Sequence, residues 1–463
     1  MEGPWGRSAE RVEPEAGPGP AVGDAGACPR LLARRIAAMS VDAPSQDQRW
    51  PWWPLLPLYP YGCRRTLVRE LLPGRIWSFE QLQGVWYVAV PIRMTVLKVA
   101  DGLMLYAPVA VTAEVRHQLQ QLVALHGPVR TIVLPTASGL EHKLPVPAMA
   151  RAFPEAEVWI TPHQWSFPVA LPPRLLGFPA GRTRVLGQDG LPHADQLRWL
   201  PLGPLDLGLG TFLEYGCFDQ ATGALLLTDA LVAMSSEPPP LFDADPTPLL
   251  FHARDRGDEP LLDSVERRRR GWQRLVLFAN YLRPAPLDVA SLAEVLRTSL
   301  APGCRHSRAH FGVYPFRWRG DWQADVGALL PPGPPRIQVA AVLERLVFPR
   351  ARPALLAWLR QLASLENLAW LIPAHYEAPV ACSSAQLEAL ANELEARPWA
   401  PSEGNWAFLA GIDRTLLRYG LVPSEPPGLA APTPDRSCGA TAAVRRLPAS
   451  RHGLTDMVSA SLP

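Results

Sequence analysis

Apolar residues in the first half of the chain fall into short runs that are separated by tight turns. Ile76 to Leu82, Val85 to Val90, Met94 to Val99 and Leu103 to Val109 each have the length of a strand. The dipeptide Asp101-Gly102 between the last two runs is typical of a hairpin turn. The pattern therefore predicts an antiparallel sheet whose strands are connected by hairpins.

The pattern then changes to alternating helices and strands. A helix is predicted from Thr112, a favourable N-cap residue, through Leu125, and a strand follows from Val129 to Leu134. After a second helix, another strand is predicted from Val158 to Thr161. This βαβ order predicts adjacent parallel strands. Farther along, Thr211 to Phe218 and Ala224 to Thr228 flank a turn that contains glycine and predict a second hairpin.

Helical periodicity dominates the stretch from about Asp245 to Glu366. Its predicted helices include Ser264 to Leu282 and Ile337 to Phe348, and clusters of proline and glycine separate them. We interpret the stretch as a helical insertion that could cover a site or form an interface. An apolar strand pattern returns from Ala369 to Ile372, just before a polar turn that contains His375.

The two ends of the chain differ in composition from its middle. Residues 1–48 are rich in Gly, Pro, Ala and charge and have no apolar periodicity, and residues 423–463 are rich in Pro, Ala, Arg and Ser. Both segments are predicted to be disordered, which leaves one folded domain over residues 49–422. Either Met1 or Met39 is compatible with the start of the native protein.

Composition excludes several functional classes. Hydrophobic residues at 48% rule out a wholly disordered chain, and a formal net charge of +2 provides no global field that would recruit nucleic acid. The basic run Arg267 to Arg270 opens a predicted helix, and we interpret it as a solvated helix face. The predicted partner is therefore an unknown small-molecule substrate or a protein, and not a nucleic acid.

The cysteines and the apolar runs bear on the compartment. Six cysteines occur without CxxC pairs in a chain that has no secretory signal, so we expect reduced thiols and a cytoplasmic location. The segment Cys304 to His310 holds three possible metal ligands but lacks a second ligand pair, and an ordinary polar loop is the preferred interpretation. No window supplies the roughly 18 uninterrupted apolar residues of a transmembrane span.

Three predicted strands are followed by residues of types that commonly bind metals. Glu141 and His142 lie in the polar turn after the strand at Val129, Asp229 follows the second strand of the hairpin, and His375 follows the last strand. Two packed sheets with helices outside would bring these strand ends to one edge. Mixed imidazole and carboxylate ligands suit Zn, Mn or Fe.

With these residues in place, the chain resembles the metallo-β-lactamase superfamily. That superfamily has an αββα sandwich and a His-x-His-x-Asp-His signature after a strand. When the final histidine of the signature is placed on His142, its aspartate position falls on Glu141. The first two histidine positions fall on Ala137 and Gly139, so half of this ligand cluster is absent.

The resemblance extends to the later ligand positions. A histidine that precedes the hairpin in the superfamily falls near Glu214, the aspartate at the end of the hairpin falls on Asp229, and the last histidine falls on His375. The resemblance thus implies an α/β fold, a metallo-β-lactamase-like αββα sandwich with a helical insertion. It implies a degenerate metal site that draws on Glu141, His142, Glu214, Asp229 and His375.

Three segments also resemble an uncharacterised domain family of photosynthetic microbes and plants that is grouped with the metallo-β-lactamase-like folds. The segments are Trp53 to Gly62, His252 to Asp255 and Gly271 to Arg274, and the resemblance covers roughly Trp50 to Leu394. The family has no assigned reaction, so it implies nothing about the substrate.

Two functional hypotheses follow from the resemblance. Three protein ligands and a water suffice for a catalytic zinc, so the remaining ligands predict a single-metal hydrolase that uses a metal-bound water, with Zn, Mn or Fe as the ion. The alternative is a non-catalytic binding or interaction module that keeps the fold and has lost the metal site. The sequence predicts no catalytic residue beyond these ligands and no organic cofactor.

Overall fold

The computed structural model describes residues 46–49, 59–60, 62–85, 87–165, 169–301, 303–330 and 332–424. The two segments that are predicted to be disordered lie outside these ranges, apart from a short 3-10 helix at Gln46–Gln48 and residues 423–424. Most of the segment from Trp53 to Gly62 also lies outside them.

Strands and helices both occur throughout the described ranges. The strands are β1 (Leu67–Leu72), β2 (Ile76–Val85), β3 (Val88–Val99), β4 (Gly102–Tyr106), β5 (Val129–Leu134), β6 (Glu157–Ile160), β7 (Thr183–Val185), β8 (Leu197–Asp206), β9 (Thr211–Asp219), β10 (Ala224–Leu227), β11 (Leu231–Met234), β12 (Leu287–Val289), β13 (Phe316–Trp318), β14 (Arg336–Val339), β15 (Trp370–Pro373) and β16 (Val380–Ala381). The α-helices are α1 (Ala113–His126), α2 (Leu140–Lys143), α3 (Val146–Ala152), α4 (Leu241–Ala244), α5 (Thr247–His252), α6 (Val265–Tyr281), α7 (Leu292–Ser299), α8 (Trp322–Leu329), α9 (Ala341–Leu346), α10 (Arg352–Ala363), α11 (Ser384–Ala396) and α12 (Ala407–Arg418).

The first sheet contains β1 to β7 in chain order. β1 to β4 pair in antiparallel fashion, and β4 to β7 are parallel. Parallel neighbours need a crossover connection, and α1 provides it between β4 and β5, while α2 and α3 provide it between β5 and β6. The predicted hairpin at Asp101-Gly102 and the predicted βαβ unit are both confirmed, and they belong to one sheet. The prediction of separate strands from Val85 to Val90 and from Met94 to Val99 was wrong, because β3 runs from Val88 to Val99 and pairs with β2 without interruption.

The second sheet has the order β16-β15-β10-β9-β8. β9 and β10 form the predicted hairpin, and β15 joins β10 in parallel with Leu227 opposite Pro373. The carboxyl ends of β10 and β15 therefore lie side by side. This pairing places the residues that follow Leu227 and Pro373 at the same edge of the sandwich.

Along each strand, side chains point alternately to the core between the two sheets and to the core under the outer helices, because both sheets are covered on both faces. Met104 and Tyr106 from the first sheet pack with Leu226 from the second in the core between the sheets. Leu105 points outward to the core under α1 and α3. Leu225 points outward to the core under α10 and α11. The four layers form an αββα sandwich and confirm the predicted fold class.

Much of the stretch from Asp245 to Glu366 packs against one end of the sandwich, whereas its last helix, α10, belongs to the outer layer over the second sheet. The core at this end includes Trp272 and Val276 of α6, which pack with Leu82 and Tyr87 from the β2–β3 hairpin. The stretch is mainly helical, but it also contains β12, β13 and β14. The helix predicted from Ile337 to Phe348 was wrong over its first residues, because β14 pairs there with β11. A pairing partner so distant along the chain leaves no local signal.

The arginine run at the start of α6 is satisfied by local carboxylates. Arg267 lies near Glu259, Arg268 pairs with Asp243 and Asp263, Arg269 pairs with Glu237, and Arg270 pairs with Asp255. These ion pairs agree with the interpretation of a solvated helix face. None of the helices within the described ranges combines the length and apolar character that a membrane crossing requires.

Candidate metal centre

The site lies where β5, β10 and β15 end. The apolar strand β5 is followed by a turn that leads into α2, and this short helix carries Glu141 and His142. Asp229 and His375 each come two residues after a strand of the second sheet. The fold therefore brings together four side chains from three separate segments of the chain.

The two histidines are oriented by backbone carbonyl groups. The Nδ1 of His142 lies 3.1 Å from the carbonyl oxygen of Pro108, and the Nδ1 of His375 lies 3.1 Å from that of Pro91. A carbonyl can only accept, so each Nδ1 carries the proton and donates it. Each Nε2 is thereby left to face the site, which is the arrangement that metal-binding histidines commonly have.

The Nε2 of His142 is buried and has no hydrogen-bond partner among the described residues. An unpaired polar atom in a buried position is costly, so this nitrogen is available to accept a bond from a further group. The Nε2 of His375 lies 3.3 Å from Oδ1 of Asp229 and 3.7 Å from Oε1 of Glu141. Ligand-type atoms of Glu141, His142 and His375 all lie within 4.8 Å of one another.

The carboxylates keep a path to solvent. The side chains of Glu141, Asp229 and His375 are 20%, 16% and 16% exposed, whereas His142 is fully buried. The hydroxyl of Thr136 donates to Oδ2 of Asp229 at 3.1 Å, which turns Oδ1 toward His375. The cluster is thus open on the carboxylate side and closed behind His142.

Gly139 makes space for the Glu141 carboxylate. A Cβ atom at position 139 would lie 2.9 Å from Oε1 of Glu141 and 3.1 Å from a methyl carbon of Thr136. The site therefore has glutamate, whose side chain is longer than that of aspartate, at position 141 and glycine, the smallest residue, at position 139.

The Glu214 carboxylate points to the backbone of the next turn instead of to the cluster. Its oxygens accept hydrogen bonds from the N–H groups of Thr228, Asp229 and Ala230. Burial, together with the charge of Asp229, raises the pKa of Glu214 to about 7. Glu214 thus holds the turn that carries Asp229, and the structure does not bring it into the group of ligand atoms.

The charges within the cluster are strongly coupled. Burial lowers the pKa of His375, but hydrogen bonds to Asp229 and Glu141 outweigh it and raise the pKa to about 10. Burial raises the pKa of Glu141, but the hydrogen bond to His375 and the electrostatic influence of the two imidazole rings lower it to about 2. Burial lowers the pKa of His142. His142 is therefore neutral near pH 7, whereas His375 carries a proton on both ring nitrogens and would have to release one to act as a metal ligand.

Sequence reasoning missed the residues that support this site. Arg93, which is fully buried on β3, donates to the carbonyl oxygens of Pro373 and Tyr376 on either side of His375. Arg93 in turn pairs with the buried Glu80 on β2. The sequence does carry a signal for this support, namely the charged residues Glu80 and Arg93 within apolar strands, because buried charges are rare unless they are paired.

Lys143 supports the other half of the site. Its Nζ atom is buried and donates to the carbonyl oxygens of Ala137 at 2.8 Å and Gln164 at 2.6 Å. Burial lowers its pKa to about 8. These bonds connect the turn before α2 to the loop after β6.

No other metal-type cluster emerges within the described ranges. Groups of three or more His, Cys, Asp or Glu side chains with converging ligand atoms are limited there to Glu141, His142 and His375. The segment from Cys304 to His310 does not form such a group. Ala137 and Gly139 provide no side chain that could hold a second ion.

An αββα sandwich with imidazole and carboxylate side chains at the carboxyl ends of its strands defines a protein with a metallo-β-lactamase-like fold and, among the described residues, one candidate metal centre. A family model described as "Domain of unknown function (DUF4336)" matches residues 73–392, which is more than half of the chain. The chain belongs to this family. A search of curated protein sequences found no match.

Several solved structures are similar to the chain at low identity. The metal-soaked Flv1 flavodiiron core from Synechocystis sp. PCC6803 is 12% identical, with a TM-score of 0.34, over 72% of this chain and 61% of that one. The mono-zinc form of the metallo-β-lactamase FIM-1 from Pseudomonas aeruginosa is 10% identical, with a TM-score of 0.32, over 76% of this chain and 100% of that one. A metallo-β-lactamase from Pontibacter korlensis is 14% identical, with a TM-score of 0.27, over 35% and 71%.

Proposed function

We propose that the protein binds one divalent metal ion through Glu141, His142, Asp229 and His375 and that it catalyses hydrolysis at this site. The observation that carries the proposal is the orientation of the two histidines. Their Nδ1 atoms are held by carbonyl groups, and the Nε2 of His142 is buried without a partner. A metal ion would coordinate this nitrogen, which otherwise stays buried without a partner.

The donor set limits the choice of ion. Two imidazole nitrogens and two carboxylates suit Zn, Mn or Fe, and the absence of thiolates argues against Cu(I). When bound, such an ion acts as a Lewis acid and activates water for attack on a scissile bond. Ala137 and Gly139 restrict the proposal to one ion, because the side chains that would hold a second one are missing.

The residues of this chain fix the ligands and leave one side open. Thr136 orients the Asp229 carboxylate, and Glu214 holds the backbone turn on which Asp229 lies. The partial exposure of Glu141 and Asp229 gives water and a substrate access to the carboxylate side. The buried side behind His142 excludes solvent and strengthens electrostatic interactions there.

A second candidate function is supported by the ion pairs of His375. A protonated His375 between Asp229 and Glu141 neutralises part of their charge without any metal. Under this hypothesis the cluster stabilises the edge of the sandwich, and the protein is a non-catalytic binding or interaction module.

Metal analysis distinguishes the two functions. Wild-type protein purified without chelator would be compared with a His142→Ala/His375→Ala double variant and with His117→Ala, which replaces an exposed histidine on α1. We expect about one ion per chain in the wild type and the control and a more than tenfold lower content in the double variant. Circular dichroism and thermal unfolding would show that all three are folded.

Activity is tested on the same proteins. Phosphodiester, thioester and lactam substrates would be assayed with added Zn²⁺, Mn²⁺ and Fe²⁺. Hydrolysis that requires a metal and is lost in the double variant supports the hydrolase. Negligible metal in all three proteins after incubation with each ion would refute the metal site, and bound metal without hydrolysis of any substrate class would favour the non-catalytic module.

A further inference from the structure

An apolar stripe on α7 faces away from the protein. Leu292, Leu296 and Leu300 are spaced four residues apart, so they lie on one face of the helix, and they are 74%, 57% and 65% exposed. Leucine residues on a helix normally face a core. This helix presents its leucines outward, which indicates that the stripe is covered by something outside the described fold.

The opposite face of α7 explains why the helix cannot simply turn inward. Thr298 is buried, and its hydroxyl bonds to carbonyl oxygens within the helix. Gly257 approaches it so closely that a Cβ at position 257 would lie 2.8 Å from the Thr298 hydroxyl oxygen. With 100° per residue, Thr298 lies almost directly opposite Leu296 on the helix. The orientation of the stripe is therefore fixed by packing.

Phe311 extends the apolar surface beside the end of the helix. It belongs to the 3-10 segment Ser307–Gly312 and is 63% exposed. The neighbouring Gly312 touches the backbone of Ser299, since a Cβ at position 312 would lie 2.7 Å from the Cα of Ser299. We define the α7 patch as Leu292, Leu296, Leu300 and Phe311.

The charges around the α7 patch are predominantly basic. Arg297, Arg305 and Arg308 are exposed, and none of them forms an ion pair within the described ranges. The acidic residue of α7, Glu294, is paired with Arg317. The nearby Asp258 and Asp263 are also paired, with Arg256 and Arg268. The unpaired charge that surrounds the patch is therefore positive.

We propose that the α7 patch docks on the surface of an anionic phospholipid bilayer. Leucine and phenylalanine flanked by arginine are typical of segments that lie in the membrane interface. The arginines would contact lipid phosphates, and the four apolar side chains would enter the boundary between headgroups and acyl chains. Four residues are also few compared with the roughly 20–30 per side of a standard protein interface, whereas a bilayer requires no matched partner surface.

Vesicle sedimentation tests the proposal with the full chain. The probes are vesicles of phosphatidylcholine alone and vesicles with about 30 mol% phosphatidylglycerol. We expect the wild type to bind the anionic vesicles and to be released at about 1 M salt, where charges are screened. Replacing Arg297 and Arg308 by glutamine should weaken binding about fivefold for each arginine.

The apolar contribution is tested with a matched pair of variants. In Leu292→Gln/Leu296→Gln/Leu300→Gln, glutamine preserves helix propensity, and unfolding should be unchanged because the leucines are exposed. We expect at least tenfold weaker binding for this variant. Leu125→Gln, which changes a leucine that is 76% exposed on α1, should bind like the wild type.

Three outcomes would overturn the proposal. The first is a wild-type protein that binds neither type of vesicle. The second is a triple variant that binds anionic vesicles as well as the wild type does. The third is a wild-type protein that self-associates in analytical ultracentrifugation while the triple variant is monomeric, because the patch would then be covered by a second copy of the chain.

Discussion

Replacing Glu80 by glutamine tests the support beneath the candidate metal centre. The fully buried Glu80 carboxylate lies between Arg69 and Arg93. Burial alone raises its pKa, but the two guanidinium groups outweigh burial and lower the pKa to about 2. The Glu80→Gln variant keeps the shape of the side chain and removes the charge that both arginines share.

The size of the effect follows from the pKa of Glu80. A glutamate in the unfolded chain has a pKa near 4.3, so a folded-state pKa of about 2 adds about 3 kcal/mol to the free energy of unfolding near pH 7. The folded-state pKa is the lower one, so this stability is complete above about pH 5 and is lost as the pH falls toward 2. Near pH 3 the same linkage leaves about 1 kcal/mol.

Urea unfolding followed by tryptophan fluorescence measures this difference without screening the ion pairs. We expect Glu80→Gln to be less stable than the wild type by about 3 kcal/mol near pH 7 and by about 1 kcal/mol near pH 3. Glu157→Gln is the control: Glu157 is 50% exposed and lies 3.8 Å from Arg184, so its loss should cost under about 0.5 kcal/mol. A loss for Glu80→Gln that does not change with pH, or a loss as small as the control, would refute the reasoning.

Three other substitutions and one control test close packing and buried bonds. A Cβ at Gly271 would lie 1.8 Å from the carbonyl oxygen of Leu249, so Gly271→Ala should unfold at least about 3 kcal/mol more readily in urea. Gly327→Ala on α8 meets nothing within 4 Å and should instead be neutral or more stable by up to about 1 kcal/mol. Asp413→Asn removes the charge that two buried arginines share, and thermal unfolding should show a loss of about 3–5 kcal/mol. Lys143→Met leaves two carbonyl groups unpaired, and calorimetric titration with Zn²⁺ should show at least about tenfold weaker metal binding. Unchanged values for the three variants that are expected to be weaker would contradict the hydrogen bonds and contacts on which these expectations rest.

The strand ends of the site could be predicted because they depend on local sequence. The apolar runs before Glu141, Asp229 and His375 give the strands, and fully buried strands read as continuous apolar stretches. A polar residue immediately after such a run is therefore placed at an edge of the sheet. Helix α6 is similarly local, since Ser264 caps it and its apolar residues recur at helical spacing.

The orientation of Glu214 could not be predicted from local sequence. Its direction depends on how β9 pairs with β8, and the register of that pairing shifts between Leu202 and Leu205. A shift of one residue turns a side chain to the other face of the sheet. Glu214 accepts hydrogen bonds from three N–H groups in the turn after β10, and the strand pattern alone does not give the position of this turn.

The hydrogen-bond acceptors of the two histidines could not be predicted for a related reason. Pro91 precedes His375 by 284 positions, and the acceptor is a backbone carbonyl that any residue type would provide. The same holds for Pro108 and His142. Sequence patterns report which side chains are present, but they do not report which carbonyl groups the fold brings beside them.

The supporting bonds explain why the cluster depends on the whole sandwich. Asp229 and His375 follow strands of the second sheet, yet Thr136, which follows β5 of the first sheet, orients Asp229, and the carbonyl group of Pro91 on β3 orients His375. Arg93, also in the first sheet, binds the backbone on both sides of His375. Because bonds from the first sheet fix both side chains, the geometry of the site is set by the relative position of the two sheets. The buried core between the sheets therefore serves the site as well as the fold, since it keeps the ligand-type atoms of Glu141, His142 and His375 within 4.8 Å of one another.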